Sequence, residues 1–302
     1  MRSRSPHDLS SYLRLARPES APWWRLVLAL VAGVVGFLAV TLIALVAMAG
    51  ALAVVGRHFV VDTDAITPEL LLATNLGLAL CIPLAGLLVW SIYGRRPRWL
   101  GSVAPGIRRR WLGTCTAIAG VVWGALLVLL LLGVAVSDSS RLDGEAVGFI
   151  VVAVLTTPIQ AAGEEYLFGG FLLQSLGATR LPVVACWLAS GLLFATAHGQ
   201  FDPPLFADRL LIGVVFAWLA TSTGGLEASI ALHAVKNVTV IIPAALLGEL
   251  TGAIEPTGVT WAPVAVDAVM LAIAGRWILS RSRRQAMPPP PPEVLPQGSS
   301  SG

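Results

Sequence analysis

Charge is the first scarcity. Only 12% of the 302 residues are Asp, Glu, Lys or Arg, against 56% hydrophobic, and the mean hydropathy is +0.80. Soluble domains carry about 25% charge, so a soluble globular fold is excluded and the chain reads as an all-α polytopic membrane protein. Cysteine is scarce too. Cys81, Cys115 and Cys186 each stand inside an apolar run, with no CxxC or Cys/His spacing, which excludes a disulfide framework or a cysteine metal centre and leaves packing. Lysine is reduced to Lys236. The net charge of +3 resides in arginines whose placement follows membrane topology, so nucleic-acid binding is not implied. No internal repeat is visible, and with it the inverted-repeat signature of many transporters is missing. No small-residue cleavage site follows the first apolar run, so a cleavable signal peptide is not expected.

What the chain has in abundance is apolar length. A span needs about 20 apolar residues, and eight segments qualify: residues 26 to 55, 70 to 93, 111 to 136, 146 to 176, 181 to 199, 206 to 222, 226 to 248 and 261 to 279. The fourth contains Pro158 and Gly163, so tilt or a kink is expected there. Eight spans put the N-terminal arginines, the loop holding Arg95, Arg96, Arg98, Arg108, Arg109 and Arg110, and the "RSRR" of the tail on one face. Basic residues collect on the cytoplasmic side, so both termini are expected in the cytoplasm, with the protein in the cell membrane. Residues 1–25 form a cytoplasmic segment and 26–280 a transmembrane helical domain with its motif core at 146–248. Residues 281–302, rich in Pro, Ser and Gly, form a tail expected to be disordered. Trp23, Trp24, Trp90, Trp111, Trp261 and Trp277 lie near span ends, as interfacial belts do.

Among the few ionisable residues inside these spans are Glu164, Glu165, His198, His233, Lys236 and Asp267, with Glu227 near an end. Each costs a few kcal/mol, about 2.5 or more by insertion scales for the charged types, and so needs a partner or a task. Glu164 and Glu165 are neighbours, so on a helix they point about 100° apart and only one faces a given cavity. "FATAH" places Phe194 and His198 at i and i+4; "HAVKN" does the same for His233 and Asn237, so each pair shares a helical face. At 1.5 Å per residue the depths from the cytoplasmic span ends are roughly 20 Å for Glu164, 25 Å for His198, 14 Å for His233 and 20 Å for Asn237. The four therefore converge within the inner bilayer. An acid, two imidazoles and an amide suit general acid/base hydrolysis. Asp267 reads as an interior hydrogen-bonding group, and Glu227 as a helix-start carboxylate suited to the macrodipole.

In that order on successive apolar segments, "EEYLFGG", "FATAH" and "HAVKN" resemble the three motifs EExxxR, FxxxH and HxxxN/D of the CaaX protease and bacteriocin-processing (Abi) family of intramembrane glutamic endopeptidases. The resemblance implies that Glu164 activates water, that His198 holds and polarises it, that His233 and Asn237 stabilise the oxyanion, and that Glu165 orients its neighbours. It implies no cofactor and no metal. The family's arginine is replaced by Gly169, which leaves Glu165 in need of another partner; Lys236, bordering the third motif, is the expected substitute.

The expected activity is hydrolysis of a peptide bond in a membrane-anchored peptide or protein. Two histidines and a glutamate also permit a zinc protease, without an HExxH motif. A non-catalytic scaffold or immunity-type protein, and a transporter relaying protons through Glu164, Glu165 and Asp267, are the alternatives outside hydrolysis.

Overall fold

A bilayer offers no water to backbone N–H and C=O groups, so apolar runs of this length satisfy themselves as helices. A computed structural model describes residues 9–16, 21–61, 66–137, 140–179, 181–251 and 259–282. The expected disordered tail lies, apart from Arg281 and Ser282, outside the described residues. Among the described residues no strand forms, only an isolated bridge between Ser102 and Gly225. The helices are α1 (Ser10–Leu13), α2 (Trp23–Val54), α3 (Pro68–Ala79), α4 (Cys81–Tyr93), α5 (Arg109–Ala135), α6 (Gly144–Glu165), a π-helical stretch (Tyr166–Leu172), α7 (Leu173–Gly177), α8 (Val183–Ala197), α9 (Pro203–Thr223), α10 (Glu227–Leu247) and α11 (Trp261–Ser282).

Seven stretches of the described residues, with α3–α4 and α6 through α7 each counted as one, are long and apolar enough to cross a membrane. The span expected at 181–199 is shorter than its sequence run: α8 has 15 residues, about 22 Å at 1.5 Å per residue, because Pro182 opens it and the chain turns at Gly199 with φ 67°. Large side chains such as Val31, Leu42, Val46 and Leu129 lie exposed on the bundle surface, as lipid-facing positions do. All three cysteines are buried and unpaired. Trp111 departs from the expected aromatic belt. It is buried against the core cluster, because the helix it opens is packed there by α10.

Local signals set the ends. Thr67 caps α3, accepting from Leu70 N–H at 3.2 Å with Pro68 at the first helical position. Asp143 caps α6, accepting from Ala146 N–H at 2.9 Å. The run expected as one span at 70–93 is interrupted between Ala79 and Cys81. Pro83 has no N–H to offer the carbonyl four residues earlier, and its ring crowds that turn.

Against this interruption packs Gly163, where a Cβ would collide with the Leu78 carbonyl oxygen. Pro158 of the fourth expected span stands inside continuous helix: α6 runs to Glu165, then passes into the π-helical stretch. The wider turn releases carbonyls that distant hydroxyls take up. Ser190 donates to Phe168 O at 3.2 Å, and Tyr12 donates to Leu100 O at 2.7 Å with a longer 3.3 Å contact to Gly169 O. Burial pushes the Tyr12 phenol well above its ordinary pKa, so it remains a donor at all physiological pH.

Gly163→Ala should therefore destabilise the protein by about 1–3 kcal/mol, as overpacking does. Gly124→Ala, whose Cβ would meet nothing within 4 Å, should be neutral or stabilising, since alanine is the better helix former. Thermal unfolding in detergent compares the two; equal midpoints would contradict the close α3–α6 approach.

Candidate active site

Glu164 and Glu165 end α6, where the α-helical register gives way to the π-helical one, and π-helical insertions occur frequently at functional sites. As their spacing demands, the two carboxylates take different directions. Glu164 lines a cavity of about 260 Å³ together with His198, His233 and Asn237. Glu165 is not among its lining residues; it lies behind His233, whose Nδ1 is 2.9 Å from Glu165 Oε1. A carboxylate accepts, so Nδ1–H donates and the ring's other nitrogen, Nε2, is turned towards Glu164 Oε2 at 3.5 Å. One imidazole is thus bracketed by the two acids.

Glu164 is held from its own helix. Gln160, one turn earlier, donates Nε2–H to Glu164 Oε1 at 2.8 Å, and its carbonyl oxygen has a long contact of 3.5 Å from Asn237 Nδ2. Glu164 Oε2 is buried and makes no hydrogen bond among the described residues. His198 closes another side of the cavity. Its Nδ1–H donates to Phe194 O at 2.8 Å, which fixes the tautomer and leaves Nε2 as the acceptor in the neutral ring. The Phe194 ring stands 4.7 Å from His198 and 5.8 Å from His233, so the phenylalanine of "FATAH" separates and positions both imidazoles.

The bundle brings together what α6, α8 and α10 carry because small residues let neighbouring helices approach. Gly191 of α8 and Gly213 of α9 meet directly, a Cβ on Gly213 falling 2.8 Å from Gly191 Cα. Glu164 lies 13 residues before the end of its span at Gly177 and His233 six residues into α10, so both stand deep in the bundle, while the cavity extends past Asn75, Arg209 and Ile241 to Gln200 at the end remote from the arginine-rich loops.

Lys236 does not replace the missing arginine. Its Nζ is 3.0 Å from Asp267 and 3.9 Å from Asp208, while Asp208 also pairs with Arg209 at 2.7 Å. The reason is helical phase: Lys236 is three residues from His233, and its side chain leaves α10 towards α9 and α11 instead of α6. Asp267 thus finds an ion pair where an interior hydrogen bond was expected. The position of the absent arginine is tight, a Cβ on Gly169 reaching 3.1 Å from Glu165 Oε2 and from Leu226 Cδ2. Glu227 does more than open α10. Fully buried, it is gripped by Arg108 through Nε at 2.9 Å, Nη2 at 2.7 Å and the backbone N–H at 2.8 Å, which ties the loop before α5 to the start of the third-motif helix.

Gln160, Asn75 and Arg209 are among the cavity residues that escaped the sequence reading. Asn75 donates to Thr156 and Thr157 hydroxyls at 2.7 and 3.2 Å, tying α3 to α6. An intramembrane amide at i−4 from Glu164 was a legible signal for Gln160, and Arg209 lies within the span expected at 206–222. Among the described residues no group of three or more His, Cys, Asp or Glu is disposed to hold a metal ion.

Residues 145–239 match the sequence model of a family described as type II CAAX prenyl endopeptidase, Rce1-like. Among curated proteins, the uncharacterized protein YyaK of Bacillus subtilis (strain 168) is 32% identical over 98 residues, covering 30% of this chain and 32% of that protein. The matched segment thus spans about a third of the curated relative's length. No solved structure matches.

Proposed function

Starting from the Rce1-like segment at residues 145–239, which contains all three motifs of the CaaX protease and Abi family, we propose that this membrane protein is an intramembrane protease that hydrolyses a peptide bond with water activated by Glu164. The observation that carries the reading is the buried Glu164 Oε2, without a hydrogen bond among the described residues, facing a cavity shared with two histidines and Asn237.

In this mechanism water sits between Glu164 and His198 Nε2. Glu164 takes a proton as the water oxygen attacks the carbonyl carbon, then returns that proton to the leaving amine. The oxyanion is met by Asn237 Nδ2–H and His233 Nε2–H. For Nε2 to donate while Nδ1–H is committed to Glu165, the ring must carry both protons, and the two acids bracketing it compensate that charge. Glu165 thereby orients His233, the part taken by a buried carboxylate behind a catalytic histidine. Donors held in a dry site cost no reorganisation when charge develops.

The substrate is a membrane-anchored peptide or protein. The matching family is described as a CAAX prenyl endopeptidase, which names a substrate class, whereas the chemistry proposed for Glu164 applies to any peptide bond. Comparing peptide N-termini in membranes of cells producing the wild type and Glu164→Ala tests the reading. New termini should depend on Glu164 and persist with 1,10-phenanthroline, whereas loss on chelation would favour the zinc alternative. Asn237→Ala should lower the cleavage rate about 100-fold to 1000-fold, the effect of one oxyanion donor.

A further inference from the structure

The bundle has two chemically different ends. At one, Ala21 N–H donates to Ala178 O at 2.7 Å, Val103 N–H to Gly224 O at 2.8 Å and Arg95 Nε to Ala16 O at 3.2 Å. These contacts, with the Arg108–Glu227 pair, gather the α1–α2 segment, the α4–α5 loop, the start of α8 and the turn between α9 and α10. The loop brings Arg95, Arg96, Arg98, Arg108, Arg109 and Arg110 to this end, and Arg14, Arg25 and Arg281 join them. At the other end, Ile66 N–H donates to Thr251 Oγ1 at 3.2 Å and Arg141 N–H to Leu246 O at 2.8 Å. The arginines described there are Arg57, Arg141 and Arg209. Each is paired with a carboxylate, Arg57 with Glu69, Arg141 with Asp143 and Glu145, Arg209 with Asp208.

From Glu164 and His233 in the interior, the cavity reaches the second end. It takes Thr74 and Asn75 from the first half of α3, Gln200 from the loop after α8, Arg209 from the second turn of α9, and Val240 and Ile241 from the second half of α10. No residue of the α4–α5 loop or of the α9–α10 turn lines it. Basic residues near span ends are retained on the cytoplasmic side whatever acids accompany them, and far more of the described arginines stand at the first end than at the second.

We infer that the Glu164 cavity opens on the extracytoplasmic face, and that the substrate is a membrane-anchored peptide whose scissile bond lies on that side, having already crossed the bilayer. The orientation rests on the charge asymmetry and the cavity's place in the fold; the substrate half rests also on the endopeptidase reading. It separates the substrate from lipidated proteins displayed in the cytoplasm, which would approach from the arginine face.

Orientation is tested in a variant lacking Cys81, Cys115 and Cys186, with single cysteines at Gln200→Cys in the cavity loop, Leu142→Cys at the same end and Arg96→Cys at the arginine end. A membrane-impermeant maleimide added to intact spheroplasts should label the first two and reach Arg96→Cys only after permeabilisation; the opposite pattern overturns the inference. Should the reagent fail to enter the cavity, Leu142→Cys against Arg96→Cys decides alone. The substrate half is tested by purifying Glu164→Gln with what it traps. A trapped polypeptide should be shortened by protease added to intact spheroplasts, and one protected until lysis overturns that half. If labelling follows expectation but wild-type and Glu164→Ala membranes share every peptide terminus, the endopeptidase reading falls and the orientation stands.

Discussion

Glu164→Gln should lower the single-turnover cleavage rate by about 10²- to 10⁴-fold, the contribution of a positioned general base, while the protein stays folded in the membrane. The substitution is nearly isosteric. The Gln160 amide, 2.8 Å from Glu164 Oε1, keeps an oxygen to donate to, and no cavity is created. What is lost is the group that can take a proton from water. Because Glu164, His233 and Glu165 form one contiguous set, with separations of 3.5 and 2.9 Å, adding His233→Ala to Glu164→Gln should cost little beyond the single change, as for residues that act as a unit. Cleavage within a few-fold of wild type in Glu164→Gln would move the base elsewhere. Multiplying losses in the double variant would mean that the two residues serve separate steps.

Lys236→Met, at a lysine that also lines the Glu164 cavity, should be strongly destabilising. The lysine is 9% exposed and joins α10 to α11 through Asp267 at 3.0 Å, with Asp208 of α9 at 3.9 Å. Removing the cation leaves Asp267 unpaired inside the bundle and Asp208 with only Arg209, and breaking a buried pair from one side costs about 3–5 kcal/mol. The double change Lys236→Met with Asp267→Leu removes both charges together and should recover most of the loss, since an apolar pair of similar volume is often as stable as a buried ion pair. Thermal unfolding of the four proteins in one detergent gives the coupling directly. A Lys236→Met midpoint equal to wild type would mean the pair contributes nothing to holding α11 in place. This result also separates the observed pairing from the one expected with Glu165, because Asp267→Leu could not rescue a Lys236–Glu165 pair.

Much of the site was legible because its signals are local. An acid in an apolar run is conspicuous whatever the fold around it, and i, i+4 spacing places Phe194 with His198 and His233 with Asn237 before any helix is packed. The same logic divided Glu164 from Glu165, one to the cavity and one behind His233. It failed for Lys236, where depth and charge allowed several acids and only helical phase chose among them. It failed again for Glu227, whose position at a helix start was visible but whose grip by Arg108, 119 residues away in the chain, was not. Gln160 was overlooked because an uncharged amide stands out less than a glutamate, although it reaches both Glu164 and Asn237.

Taken alone, the sequence determined that this protein lives in a bilayer as a set of helices, which of its few polar residues are buried there, and which of them share a helical face. These properties depend on composition and on the 3.6-residue period, both of which are present in any stretch of chain. Tertiary structure decided the rest: that α6 changes register beside Glu165, that His233 is bracketed by two acids, that Lys236 serves Asp267, and that the cavity reaches the end away from the arginines. Each of these depends on the phase and crossing of helices distant in sequence, set by contacts such as Gly163 on Leu78 and Gly191 on Gly213, where the absence of a side chain lets two backbones meet.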